Sequence, residues 1–278
     1  AARNRGYRME AEPDHFNQHL LEAWLREKGV VCPISVFDSL DSTNSEAERQ
    51  LAGGRKESFA IISSSQEKGR GRLGRKWHSP AAGNLYLSVA FRPEMPAMRL
   101  RLLTLWLGIR LCNHLRSLSG IDLMVKWPND LVVDGRKIGG ILTEASIDPE
   151  RVRTLVFGLG LNVNVARNRF PKALKDTASS LKSEAGGSFR LHELTAGTIG
   201  VILNGYKECL DKLDSKTLKK SWQPLDALAG KQVIAQSGKE TVKGKASGID
   251  ESGALLIKLR NGRIRSHSSG DVTLNPKR

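Results

Sequence analysis

Gly69-Arg70-Gly71-Arg72-Leu73-Gly74-Arg75-Lys76-Trp77 alternates glycine with arginine before it closes on a tryptophan. Glycine lets a backbone come close to a ligand and take positive φ, and the interleaved guanidinium forks suit carboxylate and phosphate oxygens. The string lacks the Gly-Lys-Ser/Thr ending of a P-loop and is not the G-x-G-x-x-G of a dinucleotide fold. By composition alone it reads equally well as an exposed basic loop of the RNA-binding kind. Two features favour a site. The string follows a predicted core strand, residues 59–64, Phe-Ala-Ile-Ile-Ser-Ser. It also ends in Trp77, which serves either as a core anchor for the next strand, the weightier reading, or as a stacking surface for a ring.

Upstream, residues 30–40 alternate weakly as a strand region broken by Pro33, and Ser42-Thr43-Asn44 precedes a polar helix that ends at Gly53-Gly54. Further forward, Phe16, Leu20, Ala23, Trp24 and Leu25 recur at helical spacing, with Asp14 as N-cap and Gly29 as the stop. Downstream, Leu85, Leu87 and Val89 share one face of a half-buried strand over residues 84–91. A long helix is predicted over 98–118 and a strand over 123–127 that stops at Pro128. Residues 131–133 and 138–142 flank Asp134-Gly135, a short hairpin signal. A strand over 154–165 and a helix over 191–213, tolerant of Gly197, Gly200 and Gly205, complete the body. From about residue 225 the texture changes to β segments at 232–236, 241–249, 254–259 and 263–267, separated by glycine turns. The pattern predicts an α+β body followed by a small β-barrel. The chain then divides into a basic tail and helix at 1–35, a body at 36–222 and the barrel at 223–278.

The 278 residues carry 44 Lys+Arg against 29 Asp+Glu, a formal charge of +15, which attracts polyanions: phosphate ligands, nucleic acid or an acidic protein. A hydrophobic fraction of 39% argues against global disorder. No run reaches the roughly 18 apolar residues of a membrane span, since Arg101 and Arg110 interrupt the longest. Cys32, Cys112 and Cys209 lie far apart, which disfavours a disulfide framework or zinc ribbon and makes a reducing cytoplasm the simplest home. Arg3, Arg5 and Arg8 come without an apolar h-region, so the front is no secretory signal; a transit-peptide fragment stays open. The six histidines form no metal spacing, and no Ser-His-Asp or Cys-His arrangement supports covalent catalysis.

Three further segments carry chemistry. In Lys126-Trp127-Pro128-Asn129-Asp130 the proline ends a strand and projects Lys126 and Asn129 from strand ends, although turn formation alone explains Asn129 and Asp130. In Lys137-Ile138-Gly139-Gly140 an ammonium beside a glycine pair suits a bound anion; on its own, a hairpin edge with a bulge at the glycines is the favoured reading. In Gly158-Leu159-Gly160-Leu161-Asn162 the glycines fit a close strand crossing equally well.

Taken together and in order, these strings resemble the biotin–protein ligases, also called biotin–[acetyl-CoA-carboxylase] ligases. The match takes in Ser42-Thr43-Asn44, Gln66, residues 69–77, 126–130 and 137–142, and Gly160-Leu161-Asn162. It runs on into Gly248-Ile249-Asp250 and Gly253-Ala254-Leu255-Leu256, similar to that family's small SH3-like barrel. The resemblance implies a mixed β-sheet packed with helices, of the class II synthetase-like kind, followed by that barrel. It implies activation of biotin by ATP with Mg²⁺ to biotinyl-5′-AMP, then transfer to a lysine of a biotin carboxyl carrier domain. Ser42, Thr43, Asn44, Gln66, Gly69 and Arg70 would serve biotin, with Trp77, Lys137, Gly139 and Gly140. Arg72, Arg75, Trp77, Lys126, Asn129 and Asn162 would serve the nucleotide. The catalytic cations would be Arg70, Arg72, Lys126 and Lys137, each charge-assisted hydrogen bond contributing about 1.5–3 kcal/mol. No metal ligand is assigned beyond an indirect role for Asp130, on a metal-bound water or on the incoming lysine. The glycine–arginine loop would be mobile when empty and order over the adenylate.

Some members of that family carry a regulatory winged-helix domain of about 60 residues, a small-domain size. With residues 1–35 ahead of Val36, the resemblance implies a member without it, with no specific DNA partner and no membrane partner. A homodimer stays open. The alternatives are a lipoate ligase or octanoyltransferase of related fold, and a nucleic-acid module using Arg70, Arg72, Arg75 and Lys76 on phosphates, whose binding would fall steeply with salt.

Overall fold

A computed structural model describes residues 12–274 apart from 14, 82, 150 and 212. Helix α1 (Gln18–Glu27) is capped by Asn17, whose side chain accepts from the Leu20 amide at 3.0 Å. Asp14, the expected cap, lies outside the described residues. Gly29 ends the helix with φ of 64°, as expected. Pro33 directly precedes strand β1 (Ile34–Phe37), which runs parallel to β2 (Phe59–Ser63). Between them lies α2 (Thr43–Ala52), so Thr43 and Asn44 form its first turn rather than precede it.

Strand β3 (Leu85–Phe91) is buried on both faces, not half-buried as its alternation predicts. Leu85, Leu87, Val89 and Phe91 join the main core. The opposite face packs on α2, where Ala90 meets Ala47, Leu51, Phe59, Ile61 and Val156. A serine and an alanine on that face look solvent-facing in the sequence because the helix that covers them lies forty residues upstream.

Strand β4 (Met95–Pro96) and helix α3 (Leu100–Ser119) follow, then β5 (Met124–Lys126), β6 (Asp130–Val133), β7 (Arg136–Ile147) and β8 (Arg151–Leu161). These strands form one mixed sheet in the order β1-β2-β3-β8-β7-β6-β5, with β4 beside β8. Asp134 and Gly135 both take positive φ, 47° and 78°, which makes the two-residue hairpin turn the sequence signals. Leu131 faces Gly139 while Val132 faces Lys137, so the bulge falls on Ile138, one residue ahead of the glycine pair. Helices α4 (Leu181–Ala185), α5 (Leu191–Asp211) and α6 (Ser215–Trp222) follow. Helix α5 packs against α1 and α3. Its glycines allow those close approaches: a Cβ on Gly200 would lie 2.8 Å from Val30, and one on Gly205 2.8 Å from Leu107. Neither α4 nor α6 is foreseen from the sequence.

The predicted β appendage is a five-stranded antiparallel, SH3-like sheet: β9 (Gln232–Ser237), β10 (Glu240–Ile249), β11 (Leu255–Lys258), β12 (Ile264–His267) and β13 (Asp271–Leu274), in the order β12-β11-β10-β9-β13. The last strand was not foreseen. This sheet shares its core with the body, for Val233, Ala235 and Val242 lie in the same apolar cluster as Leu105 and Trp127. Trp127 is 2% exposed and donates its indole N–H to the Gly253 carbonyl at 3.0 Å. Removing that side chain would cost about 3–5 kcal/mol and would loosen the junction.

Candidate functional site

Strands β7 and β8 carry Gly140, Gly158 and Gly160 on one face of the sheet, and these bare positions make a floor on which other side chains rest. A Cβ on Gly158 would lie 2.2 Å from Asn44 Oδ1, and one on Gly160 2.5 Å from the Trp77 indole. The glycines are therefore required by close approach, and the approaching groups are site candidates. Trp77 is half-buried over this floor, and its indole nitrogen has no hydrogen-bond partner among the described residues. It walls a cleft instead of anchoring the core, a role that falls to Trp127 and Trp222.

One end of the cleft is built by the start of α2. The Thr43 amide donates to Gln66 Oε1 at 2.9 Å, and Gln66 Nε2 donates to Ser79 Oγ at 2.9 Å. Ser88, on β3 beneath, donates to Thr43 Oγ1 at 2.7 Å or to Asn44 Oδ1 at 2.6 Å. Ser42 is the N-cap by position, yet its hydroxyl makes no cap bond and lines the cleft. Its amide donates to Asp41 Oδ1 at 2.7 Å, and Arg49 holds the Asp41 carboxyl down at about 2.

The glycine–arginine loop arches over the cleft. Its neck is closed by the Trp77 amide donating to the Gly69 carbonyl at 2.9 Å and the Gly71 amide to the Arg75 carbonyl at 2.7 Å. The expectation that its alternating glycines supply positive φ holds for Gly74 alone, at 73°; the other left-handed residue is Leu73, at 55°. Gly69 is bare for another reason, because a Cβ there would lie 2.5 Å from Ser79 Oγ and 2.6 Å from the Trp77 carbonyl. Arg70 pairs with Glu144 at 2.8 Å and Glu48 at 3.5 Å. Arg72 reaches Asn129 Oδ1 at 3.5 Å and the Gly270 carbonyl at 3.4 Å, and Arg75 pairs with Asp271. Burial pushes the Arg72 guanidinium below its usual range, partly offset by Asp271 and Asp130.

At the far end the β5–β6 turn brings in Lys126, Asn129 and Asp130. Asn129 is fixed by donating to the Ile141 carbonyl at 2.5 Å and accepting back through its own carbonyl at 2.9 Å. Lys137 Nζ sits 2.6 Å from Asp130 Oδ1 and 5.2 Å from the centre of the Trp77 ring. Lys126 makes no ion pair among the described residues. Beyond Lys137 lies a second cavity lined by Asn162, Phe170, Leu174, Thr177 and Ala178, and both cavities share Lys76, Trp77, Lys126, Asp130 and Lys137.

The main cleft thus gathers Ser42, Thr43, Asn44, Gln66, Arg70, Arg72, Arg75, Trp77, Lys126, Asn129, Asp130, Lys137 and Gly140 from segments nearly a hundred residues apart. It does not gather Gly69, Gly139 or Asn162. Gly139 is buried against the Gly160 carbonyl, and Asn162 is 5% exposed on the second cavity, donating to the Ser179 carbonyl at 2.9 Å. Sequence reasoning missed Ser79, Ser88, Glu144 and the β13 residues Asp271, Val272 and Thr273. Only Asp271, just after a glycine, carried a local signal. Among the described residues no group of three His, Cys, Asp or Glu is placed to hold a metal, and no helix is long and apolar enough to cross a membrane.

Residues 36–162 match the profile of the biotin/lipoate A/B protein ligase family, and residues 229–274 match the biotin protein ligase C-terminal domain. The chain is 31% identical over 281 residues to the bifunctional ligase/repressor BirA of Bacillus subtilis, covering 99% of this chain and 84% of that protein. It is 31% identical to the biotin–[acetyl-CoA-carboxylase] ligase of Paracoccus denitrificans, covering 80% of this chain and 93% of that one. Among solved structures, the Aquifex aeolicus biotin protein ligase in complex with biotin and ATP superposes with a TM-score of 0.75 at 30% identity, covering 87% of this chain and 98% of that chain.

Proposed function

The chain belongs to the biotin protein ligase family, and from that premise we propose that it activates biotin with ATP to biotinyl-5′-AMP and passes the biotinyl group to a lysine of a biotin carboxyl carrier domain. The observation that carries this reading is the meeting of two cavities at a cluster of cations, Lys76, Lys126 and Lys137. Two anionic substrates must approach within bonding distance, and fixed positive charge is needed where their charges converge. Lys137 stands at that junction, its ammonium held by Asp130 and the face of Trp77.

We assign biotin to the cleft between the start of α2, the Gly160 floor and Trp77, where the Ser42 hydroxyl, Thr43 and Gln66 offer polar groups to its ureido ring. The nucleotide takes the second cavity, with Phe170 and Ala178 as apolar walls and Asn162 at its edge. In the first step a carboxylate oxygen of biotin bonds to the α-phosphorus of ATP and pyrophosphate leaves. Lys137, Lys126 and Arg72 face the charge that builds there. In the second step the acceptor amine bonds to the acyl carbon, loses a proton, and AMP departs; Asp130 is the carboxylate placed to orient that amine. Asp130 and Asp271 are already paired with Lys137 and Arg75, and among the described residues no group of three His, Cys, Asp or Glu is placed to hold a resident ion. Magnesium would enter with ATP, as part of that substrate.

We divide the chain into a catalytic body at 36–222 and a C-terminal domain at 223–278. That second domain favours biotin over lipoate, because residues 229–274 match a biotin-ligase domain. Native mass spectrometry after incubation with biotin and Mg-ATP tests the proposal. A bound mass equal to biotinyl-AMP, discharged by a carrier domain that gains one biotinyl group, is the expected result. An adenylate formed from lipoate and not from biotin would overturn it.

A further inference from the structure

Glu144 belongs to none of the strings that the sequence singles out, yet two distant segments converge on one of its oxygens. Asn44 of α2 donates to Glu144 Oε2 at 2.6 Å, and Arg70 of the loop donates to the same oxygen at 2.8 Å. Asn44 has little freedom to do otherwise. Its Oδ1 is 2.6 Å from Ser88 Oγ, its Nδ2 also faces the Leu142 carbonyl at 3.3 Å, and it rests on the bare backbone of Gly158. A fixed Asn44 therefore fixes Glu144, and Glu144 holds Arg70.

The charge balance around Arg70 points the same way. Two carboxylates, Glu144 and Glu48, lie within ion-pair reach of one guanidinium, so this corner carries a net negative charge. It has no surplus cation to offer a carboxylate or a phosphate, in contrast to Lys126. Arg70 also sits at the loop neck, bridged to Lys76 and adjacent to the Gly69–Trp77 backbone bond. A shift of Arg70 is transmitted directly to the tryptophan that walls the cleft and to Arg72 beyond it.

We propose that Glu144 is a positioning residue: it ties the glycine–arginine loop to α2 and β7 through Arg70, and Arg70 acts as a strut of the loop and not as a charge delivered to the substrates. This rests on the biotin-ligase reading of the cleft.

A double-mutant cycle tests it. Glu144→Leu and Arg70→Met are made singly and together, and each protein is read in two ways. The first is the rate of tryptic cleavage after Arg72, Arg75 and Lys76, sites that every variant keeps, in the ligand-free chain, beside its Tm. The second is the dissociation rate of bound biotinyl-AMP, beside kcat and KM for biotin. Each single variant is expected to raise loop cleavage and adenylate release by about three- to tenfold, the range for a half-exposed charge-assisted pair. The double variant is expected to be no worse than either single one, and Glu144→Gln, which keeps an acceptor oxygen, to recover part of the loss. Equal factors for Arg70→Met in the parental and Glu144→Leu backgrounds would overturn the proposal, as would unchanged loop cleavage. A parental chain that forms no biotinyl-AMP strikes the functional reading instead, and the cleavage arm still decides whether Glu144 holds the loop.

Discussion

Gly160→Ala adds one carbon beneath the wall of the cleft. Built on the existing backbone, that carbon lies 2.5 Å from both Cε2 and Nε1 of Trp77 and 2.9 Å from Cζ2. Ordinary contact begins at 3.4 Å, so the ring must retreat by about 3.4 − 2.5 = 0.9 Å. The strand below cannot yield without breaking its pairing with β3 and β7. Trp77 is half-buried, so the indole moves outward, into the space assigned to biotin. Overpacking in a closed core costs about 1–3 kcal/mol; here the ring escapes towards solvent, and a loss of about 1 kcal/mol or less follows. Catalysis is hit harder, because a displacement of about 1 Å in a positioned site costs on the order of 10²-fold. Biotin-dependent pyrophosphate exchange, read as kcat and KM for biotin beside a thermal melt, separates the two effects. The expected outcome is a loss of about 10- to 100-fold in kcat/KM with a nearly unchanged Tm. Trp77→Ala should mask the effect, so that adding Gly160→Ala to it costs little more. A Gly160→Ala protein within twofold of the parental kcat/KM would refute the placement of Trp77 against biotin.

Lys137→Ala should lower kcat for pyrophosphate exchange by about 10- to 100-fold, the equivalent of one charge-assisted hydrogen bond, while biotin binding measured by calorimetry changes less; equal losses in both would assign the lysine to ground-state binding alone. Burial raises the Asp226 carboxyl above its usual range, and its Oδ2 has no hydrogen-bond partner among the described residues. The fold therefore disfavours its charge, a penalty present at neutral pH and absent below the unfolded value near 4. Asp226→Asn is expected to raise Tm by about 2–4 °C at pH 7 and to show no gain by about pH 4, followed by calorimetry across that range. Asp41 has the opposite sign. Arg49 holds its carboxyl at about 2, so its contribution is present above about pH 4 and is lost as pH falls through 2. Asp41→Asn should cost at most about 1 kcal/mol at pH 7, since the pair is exposed, and only a small part of that at pH 2; a deficit undiminished at pH 2 would contradict this.

The strands and long helices could be read from local pattern because their periods are local. Residues 59–63, α3, α5 and the Asp134-Gly135 turn fall within a few residues of expectation. What could not be read depends on contacts between distant segments. The second buried face of β3 exists because α2 lies on it. The tryptophan at the loop end reads as core in the sequence because nothing local reveals that Gly160, eighty-three residues later, lies bare beneath it. Site residues announced by unusual composition, such as Arg72, Lys126 and Lys137, are legible, whereas Glu144 and Ser88 sit in ordinary strand sequence and matter only through contacts with the distant Thr43, Asn44 and Arg70. The apolar pattern carries the expected strand to residue 165, four past the end of β8, because Val163 continues it after Asn162 has turned towards Ser179.

The most direct test is isotope exchange between labelled pyrophosphate and ATP, with biotin, with lipoate and with neither. Label entering ATP only in the presence of biotin is the expected result, because adenylation at the Lys137 junction is reversible. No exchange above the background without an acyl substrate, or exchange supported by lipoate alone, would contradict the assignment of this cleft to biotin activation.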